Sequence, residues 1–534
     1  MIRYNTILSL ACGRVKALTA VALPTVTWAL TGCGGGSPRQ RAVTVAPGTP
    51  AKATAGSWVS ANGGPANRRS TGGPIDSATV SRLEPVWTLP LEAKSTYGAY
   101  AASPVVLGGV VYSQDLDSNV EAISLQSGRV LWVKHYSSQD DGPNGVTVAG
   151  GRVFGATSTA AFALSQRTGK QLWSVPLVRN ANEGIDMAPG YRDGVVYVST
   201  VPGNTTRFYA GDGVGILWAL DAATGRRLWH FDTVPEDLWA PQHVAINSGG
   251  GVWYPPAFDE QGSMYIGVGN PGPFPGTSKY PWGSSRPGPD LYTDSLVKLD
   301  AATGRLQWYY QLTPHDLYDW DLQDSPILLR AGDRRTVIVA GKAGVVLSFE
   351  TQTGRLLWRR SVGLHNGHDL DSLYAMRGEY SKIHFPATVY PGKLGGVETP
   401  MASDGSALFV PVNNYPVEWI SQAEGSEPTG GDGEMVALDA ATGAVRWIHK
   451  FPSELYGSAT AVNDLVFTTS FEGVLYALAA GTGKVVWQTQ LPARSNSGVT
   501  VVGNTLLAAA GVSAGASQRP ELTAYRLAGG STGG

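Results

Sequence analysis

The segment LWALDAATGRRLW, residues 217–229, decides the fold because it recurs along the chain. Similar segments end at Trp132, Trp173, Trp308, Trp358, Trp447 and Trp487, and in every copy a glycine precedes the final tryptophan by four positions. Each copy has an alternating apolar run, a Thr-Gly or Ser-Gly turn, and a second run that ends in tryptophan. This pattern is typical of a β-hairpin.

A second alternating stretch precedes most copies, for example SPVVLGGVVYSQD at residues 103–115. Two hairpins per repeat make a four-stranded sheet, and a ring of such sheets is a β-propeller. The strand around Trp87 lacks a hairpin partner before it, and residues 522–527 lack a tryptophan strand after them. The sequence therefore predicts an all-β, eight-bladed propeller in which tryptophans stack between blades and N- and C-terminal strands together complete the last blade.

The composition restricts the class of protein. Among 534 residues, Lys and Arg number 40, Asp and Glu number 42, and only 15% of residues are charged. A nucleic-acid-binding protein would normally carry a basic patch or a high isoelectric point, so no nucleic-acid partner is expected. The 68 glycines and 34 prolines suit a turn-rich β structure.

The first 33 residues are predicted to be a signal peptide. A basic start is followed by the apolar run ALTAVALPTVTWAL and then by LTGC at residues 30–33, which resembles the lipobox of bacterial lipoproteins. Lipid attachment at Cys33 would give an exported protein, anchored to a bacterial membrane on its periplasmic or extracytoplasmic face. Cys12 is the only other cysteine and CxxCH is absent, so neither a disulfide in the folded body nor a c-type haem is expected.

The domain boundaries follow from these features. Residues 34–57 are polar and rich in Gly, Pro and Ala, and are expected to form a flexible tether. Residues 58–529 are expected to form the propeller, and residues 530–534 a disordered tail.

The stretch PHDLYDWDLQD, residues 314–324, concentrates acidic side chains in a sparsely charged chain. It follows the strand that ends at Trp308 and lies beside a long insertion between two repeats, and long ordered loops are usually functional. A solvated turn is the alternative interpretation. Asp319 and Asp321 are two positions apart, so in extended backbone both carboxylates would face one side and could reach one ion.

Several motifs resemble those of pyrroloquinoline-quinone (PQQ) dependent alcohol dehydrogenases, such as the methanol and ethanol dehydrogenases. The A-x-D-x-x-T-G-x-x-x-W repeat is similar to the tryptophan-docking motif of that family, and residues 57–89 are similar to its first segment. The elements GVGNPGPF, QLTPHDLYDWD and YPGKLGGVETPMA are similar to those around its cofactor. The resemblance covers nearly all of the chain after the tether.

The resemblance implies a PQQ cofactor, a calcium or lanthanide ion and specific site residues. The catalytic base falls on Asp319, and the amide ligand of the metal falls on Asn270. The tryptophan beneath the quinone falls on Trp253. The cationic residue near the quinone oxygens falls on Arg334, with Arg335 equally possible. In the family an acid at the position of Asp321 accompanies lanthanide use, because a trivalent ion calls for another negative ligand. His315 and Asp316 are expected to serve the loop structure.

The chain departs from the family at several cofactor contacts. The adjacent-cysteine disulfide would lie near Ser138 and Gln139, and the arginine that follows it becomes Asn144. The remaining changes affect two glutamates and an asparagine. The early glutamate becomes Ala101, the glutamate that binds the metal becomes Ala210 with Asp212 as the nearby substitute, and the asparagine of the GG-x-N-W element becomes Glu398.

Two functions remain open at this point. The first is a membrane-tethered, PQQ- and metal-dependent dehydrogenase that oxidises an alcohol or polyol and passes electrons to a separate acceptor. The second is a non-catalytic propeller lipoprotein that acts as a scaffold or binding module, similar to the outer-membrane assembly lipoprotein. The retained residues Trp253, Asn270, Asp319 and Asp321 favour the first function, and the altered cofactor contacts favour the second.

Overall fold

The computed structural model describes residues 56–203, 207–239, 244–331, 334–426, 430–515 and 517–528. The predicted signal peptide with Cys33, nearly all of the predicted tether and the predicted tail at residues 530–534 lie outside the described residues.

The described part of the chain is built almost entirely of strands. In chain order the strands are β1 (Ser70–Thr71), β2 (Leu83–Pro90), β3 (Val105–Leu107), β4 (Val110–Gln114), β5 (Val120–Ser124), β6 (Val130–Lys134), β7 (Thr147–Ala149), β8 (Arg152–Ala156), β9 (Ala160–Ser165), β10 (Gln171–Pro176), β11 (Gly190–Arg192), β12 (Val195–Ser199) and β13 (Ile216–Asp221). They continue with β14 (Arg227–Asp232), β15 (Ser248–Gly249), β16 (Ala257–Phe258), β17 (Ser263–Gly267), β18 (Pro271–Gly272), β19 (Ser295–Asp300), β20 (Leu306–Gln311), β21 (Ile327–Ala331), β22 (Arg334–Val339), β23 (Val345–Glu350), β24 (Leu356–Ser361), β25 (Ala387–Val389) and β26 (Ala402–Ser403). The last are β27 (Ala407–Asn414), β28 (Val417–Ser421), β29 (Glu424–Ser426), β30 (Asp432–Asp439), β31 (Val445–Phe451), β32 (Thr460–Val462), β33 (Leu465–Thr469), β34 (Val474–Ala479), β35 (Val485–Gln490), β36 (Thr500–Val502), β37 (Thr505–Ala510) and β38 (Glu521–Leu527).

Helical structure is confined to one short α-helix, α1 (Asp371–Met376), and three 3₁₀ turns at Val80–Arg82, Pro281–Gly283 and Tyr380–Lys382, within the described ranges. Over those same ranges, none of the helices has the length and apolar character needed to cross a lipid bilayer.

Within the described residues, eight sheets form the propeller blades, each with four antiparallel strands, and β1 adds a fifth, parallel strand beside β32 in one of them. This arrangement confirms the predicted fold. Blades 1 to 3 hold β3–β6, β7–β10 and β11–β14; blade 4 holds β16, β17, β19 and β20; blade 5 holds β21–β24; blade 6 holds β26, β27, β30 and β31; blade 7 holds β32–β35; and blade 8 holds β36, β37, β38 and β2. In blade 8, β2 pairs antiparallel with β38, and Trp87 lies opposite Ala524. Strands from the two ends of the propeller therefore close the ring, as the unpaired half-hairpins predicted.

Adjacent blades are joined by a tryptophan that lies on a glycine. The glycine of each repeat turns the chain with a positive φ, and a Cβ atom at that glycine would lie only 2.4–2.8 Å from a ring or Cβ atom of the preceding blade's tryptophan. The pairs are Trp87–Gly128, Trp132–Gly169, Trp173–Gly225, Trp229–Gly304, Trp308–Gly354, Trp358–Gly443 and Trp447–Gly483. Six of these indoles also donate a hydrogen bond to a backbone carbonyl in the next blade. The motif therefore sets the spacing between blades.

The segment at residues 58–71, called here the channel segment, runs along the inner edges of the blades. The backbone of this segment forms hydrogen bonds with the first strands of blades 1, 2, 4, 5, 6 and 7. Examples are those between Trp58 and Val106 and between Arg69 and Ala461. Because six sheets present the same edge to one short segment, those edges surround it. The channel segment therefore crosses the centre of the ring.

Arg69 anchors the channel segment with a side chain that is 1% exposed. Its guanidinium donates to the carbonyl oxygens of Ala459 (2.7 Å) and Val499 (3.0 Å), and to Ser103 Oγ (3.1 Å). Ala459, Val499 and Ser103 precede the first strands of blades 7, 8 and 1, respectively. One buried cation thus ties together the blades on both sides of the ring closure.

The long insertions all emerge from one face of the propeller. In a four-stranded antiparallel blade, the loop between strands two and three and the loop to the next blade leave at the same end. Residues 268–294 and 415–431 are loops of the first kind, and residues 312–326 and 362–401 are loops of the second kind. The acidic stretch and both regions of extra sequence therefore share one face.

We predict that Gly304→Ala lowers the free energy of unfolding by about 1–3 kcal/mol, the usual cost of overpacking. The new methyl group would meet Trp229 at 2.5 Å, and φ is +73°. Thermal or urea unfolding measures the change. Gly481→Ala is the matched control, because it lies in a corresponding repeat turn with open space around its Cα. Equal stability of the two variants would contradict the role given to the tryptophan–glycine contact.

Candidate functional site

The loop at residues 312–326 places its side chains on two sides, although its backbone is not extended at Asp319, where φ is +65°. Tyr318 and Trp320 are buried in an aromatic cluster beneath the insertions, where their ring centroids lie 5.1 Å apart. Tyr318 donates to Asp371 Oδ2 (2.6 Å), and Trp320 donates to the carbonyl of Pro391 (3.0 Å). Asp319 and Asp321 point to the other side.

His315 and Asp316 hold this loop in shape. The carboxylate of Asp316 accepts the backbone N–H groups of Tyr318 (2.9 Å) and Trp320 (2.6 Å). Both ring nitrogens of His315 lie against carbonyl oxygens, that of Gly288 at 3.0 Å and that of Trp282 at 2.7 Å. These contacts agree with the structural role expected for both residues.

Lys342 joins the two aspartates. Its Nζ lies 3.1 Å from Asp319 Oδ2 and 2.6 Å from Asp321 Oδ2, and all three side chains are largely buried. Burial alone would lower the pKa of Lys342, but the carboxylates of Asp319 and Asp321 outweigh it and raise that pKa well above its usual range. Burial raises the pKa of Asp319, and the ammonium of Lys342 opposes this rise. The two carboxylates therefore share one positive charge.

Asn270 and Trp253 lie beside Asp321. The backbone N–H of Asn270 donates to Asp321 Oδ1 at 2.7 Å. Gly269 has no side chain to separate these groups, since a Cβ there would lie 2.3 Å from Asp321 Oδ1 and 2.9 Å from Trp253 Nε1. The structure thus brings Trp253, Asn270, Asp319 and Asp321 into one neighbourhood.

Two aromatic residues from the loop of blade 3 contact this group. The Tyr209 hydroxyl donates a hydrogen bond to Asn270 Oδ1. Phe208 stacks on Trp253 with ring centroids 6.0 Å apart and an interplanar angle of 26°. Burial raises the pKa of Tyr209 well above its usual range, and the nearby charges of Asp321 and Asp319 raise it further. Sequence reasoning missed both residues, because it compared only the neighbouring Ala210 with the family.

The structure does not bring Arg334 or Arg335 into this group. Arg334 is exposed and begins β22 at the hairpin turn, whereas Lys342 follows the opposite end of that strand. Arg335 lies 3.7 Å from Glu260 Oε2 at the surface. The cation at the site is Lys342, which sequence reasoning missed. One signal in the sequence could have found Lys342: it is a single charge between Gly341 and Ala343, directly after an apolar strand. A lysine at such a position is expected to be buried, and a buried lysine requires acidic partners.

The residues that depart from the family contribute little polar chemistry here. Asn144 donates to the carbonyl of Asp115 at 2.7 Å, and Ala101 packs close to Gly142. Glu398 is the exception. Burial raises the pKa of Glu398 to about 7, Lys342 opposes the rise and Asp321 adds to it.

The oxygen donors of the site suit a hard cation. No set of three His, Cys, Asp or Glu side chains converges as a metal site within the described ranges. Two carboxylates and the amide of Asn270 do lie together, and calcium and lanthanide ions prefer such ligands. Asp319 Oδ1 is buried and has no hydrogen-bond partner among the residues that the structure describes. That orphaned oxygen fits a site that binds a cation or receives a proton.

Known families match two parts of the chain. Residues 178–362 match the family described as glucose/ethanol/alcohol dehydrogenase, beta-propeller domain. Residues 395–532 match the family described as outer membrane protein assembly factor BamB.

Curated relatives and solved structures are similar to the chain over different lengths. A quinohemoprotein alcohol dehydrogenase, ADH IIB, of Pseudomonas putida is 30% identical over 56% of this chain and 47% of its own length. The quinoprotein ethanol dehydrogenase of Pseudomonas aeruginosa is 25% identical over 75% of this chain and 76% of its own. The chain spans about half the length of the first of these relatives and of others like it.

The crystal structure of quinohemoprotein alcohol dehydrogenase from Comamonas testosteroni superposes with a TM-score of 0.76 at 23% identity, over 90% of this chain and 82% of that one. A europium-containing methanol dehydrogenase gives 0.72 at 19% identity, over 88% and 98% of the two chains. At these identities the likeness concerns the fold. Taken together with the family match at residues 178–362 and the curated relatives, it leads to one conclusion: the chain is similar to PQQ-dependent alcohol dehydrogenases and shares their β-propeller fold.

Proposed function

We propose that this protein is a PQQ- and metal-dependent dehydrogenase that oxidises an alcohol or polyol. The observation that carries the proposal is the shared ion pair of Asp319 and Asp321 with Lys342, next to Asn270 and Trp253. A solvated turn would not bury two carboxylates around one ammonium. The names of the curated relatives, which are alcohol dehydrogenases, support the substrate class.

In this proposal Asp319 is the base that receives the hydroxyl proton. Its Oδ2 is held by Lys342 at 3.1 Å, so the unpartnered Oδ1 is the oxygen that can accept a proton. Burial raises the pKa of Asp319 well above its usual range, which favours proton acceptance, and the ammonium of Lys342 opposes that rise. A positioned base of this kind contributes roughly 10²–10⁴ to the rate.

Asn270, Asp319 and Asp321 would hold the cation, and Trp253 would lie beneath the ring of the cofactor. When bound, PQQ supplies a two-electron acceptor and the cation supplies Lewis acidity. Calcium and a lanthanide are both candidates, and Asp321 favours the lanthanide because a trivalent ion gains more from an extra negative ligand. No CxxCH motif occurs in the sequence, so electrons would pass to a separate acceptor.

A scaffold role is the second candidate. The match of residues 395–532 to the outer membrane assembly family favours it, as do the altered contacts at Ala101, Asn144 and Ala210. The two candidates differ in whether the purified protein takes up PQQ. Stoichiometric quinone absorbance after incubation with PQQ and calcium or lanthanum supports the dehydrogenase, and its absence supports the scaffold.

We predict that Asp319→Asn lowers dye-linked alcohol oxidation by the reconstituted protein by about 10²–10⁴. Asn accepts the positive φ of +65° at this position, so folding is retained. Asp193→Asn is the matched control, because Asp193 also has a positive φ (+47°) but lies in a surface turn between β11 and β12. Full activity of Asp319→Asn would exclude it as the base.

We predict that Lys342→Met lowers the free energy of unfolding by about 3–5 kcal/mol, since it leaves two buried carboxylates without a counter-charge. Added lanthanum should restore part of that stability by binding the folded state. Thermal unfolding with and without lanthanum measures both effects. The control is Lys450→Met, whose lysine is 73% exposed and lies 3.5 Å from the buried Glu434; an ion pair whose lysine is this open to solvent contributes only about 0–1 kcal/mol. A stable, lanthanum-insensitive Lys342→Met protein would refute the shared charge.

The protein would be exported and held at a bacterial membrane through a lipid on Cys33. The basic, apolar and LTGC order of the first 33 residues supports this part of the proposal. We predict that Cys33→Ala moves the protein from the membrane fraction to the soluble extracytoplasmic fraction, as fractionation and immunoblotting would show. Cys12→Ala is the control, and it should leave membrane association unchanged. Membrane association of Cys33→Ala equal to that of the control would disprove lipid attachment at this residue.

A further inference from the structure

Tyr209 occupies a position at the site that none of the expected ligands explains. Its hydroxyl donates to Asn270 Oδ1, the same oxygen that the proposed cation needs. We propose that the Tyr209 hydroxyl is itself an oxygen ligand of the cation, in place of the carboxylate that Ala210 cannot supply. This inference rests on the proposed function, because it concerns the same cation site.

The backbone conformation and the packing of Tyr209 fix the position of its phenol ring. Tyr209 has φ +51°, in the left-handed region that bulky residues rarely adopt. Its ring lies against Gly272, where a Cβ would come within 2.6 Å of Tyr209 Cδ1, and it meets Phe274 edge-on at a centroid distance of 5.0 Å. Both neighbours belong to the loop that carries Asn270. The phenol and the amide are therefore held in a fixed relation to each other.

The Tyr209 hydroxyl and Asn270 Oδ1 are direct neighbours, as two ligands of one ion would be. Hydrogen-bonded oxygens lie roughly 2.5–3.0 Å apart. Two oxygens that bind one calcium-sized ion at 2.3–2.6 Å lie roughly 2.8–3.4 Å from each other. A cation can take the place of the shared hydrogen once the two oxygens move apart to that spacing. A hydrogen bond between two neutral side chains here thus marks the place of two adjacent ligands.

The charges of the neighbourhood support the same assignment. Asp321 Oδ1 accepts the backbone N–H of Asn270 at 2.7 Å, and Lys342 links Asp321 (2.6 Å) to Asp319 (3.1 Å), so both carboxylates lie in the neighbourhood of Asn270 and its phenol partner. Those two carboxylates, the amide of Asn270 and the phenol give four oxygen donors from four separate residues. The donor set contains only two formal negative charges, and Lys342 offsets one of them, so a trivalent ion gains most from the additional oxygen.

Terbium binding to the purified full-length protein, without PQQ, tests this assignment. Terbium luminescence reports affinity, and its lifetime in H₂O and D₂O reports the number of water molecules on the ion. Tyr209→Phe keeps the ring against Gly272 and Phe274 but removes the hydroxyl. We expect terbium affinity to fall at least about tenfold, as for loss of other groups that support a bound metal. We also expect one more water molecule on the ion.

Tyr197→Phe is the matched control, because its buried hydroxyl donates to the carbonyl of Ala301 inside the blades at 2.9 Å. It should leave terbium affinity and hydration unchanged, and thermal unfolding should show all three proteins folded. Weaker binding of Tyr209→Phe with unchanged hydration would mean that Tyr209 only orients Asn270, and would overturn the ligand assignment. Equal binding would overturn it as well, and would leave the proposed function standing. Failure of the unaltered protein to bind terbium would refute the cation site as a whole.

Discussion

The contact between a tryptophan of one blade and a glycine of the next is the constraint on which the structure depends. It fixes the distance between sheets at seven blade interfaces, because a larger residue at the glycine would collide with the indole. Identical spacing at successive interfaces makes the sheets close into a ring without a dedicated closing domain. At the interface between blades 7 and 8 the motif is absent, and the apolar residues Ile75, Val80 and Leu83 pack there with Trp487 instead. The ring therefore tolerates one irregular interface because the other seven are alike.

The site is made possible by the division between a regular ring and irregular loops on one face. The blades hold their own backbone hydrogen bonds, so the loops can bury charges that a small domain could not compensate. Tyr318 and Trp320 anchor the acidic loop in the aromatic cluster, and this anchorage directs Asp319 and Asp321 toward Lys342. Aromatic packing on one side of the loop thus determines where the two carboxylates lie on its other side.

The fold could be predicted from the sequence because its signal is repeated and local. The same reasoning predicted that Asp319 and Asp321 face one side, since alternation needs only the neighbouring residues. Lys342 could not be found in this way, because its partners are about twenty residues distant and two arginines near the turn offered a plausible cation. Tyr209 could not be predicted for a related reason. Its φ of +51° and the absence of a side chain at Gly272 bring its ring next to Asn270, and a comparison of residue types shows neither feature.

The pairing of β2 with β38 has a consequence for how the protein is made. The antiparallel strands of blades 1 to 7 all lie between β2 and β38 in the sequence, so β2 waits without its partner while seven blades are synthesised. Contacts between such distant residues form late and slowly, because a long loop must close before they are gained. During that interval an unpaired edge invites wrong partners. A chain of this topology therefore gains from protection of the β2 edge until β38 has been synthesised.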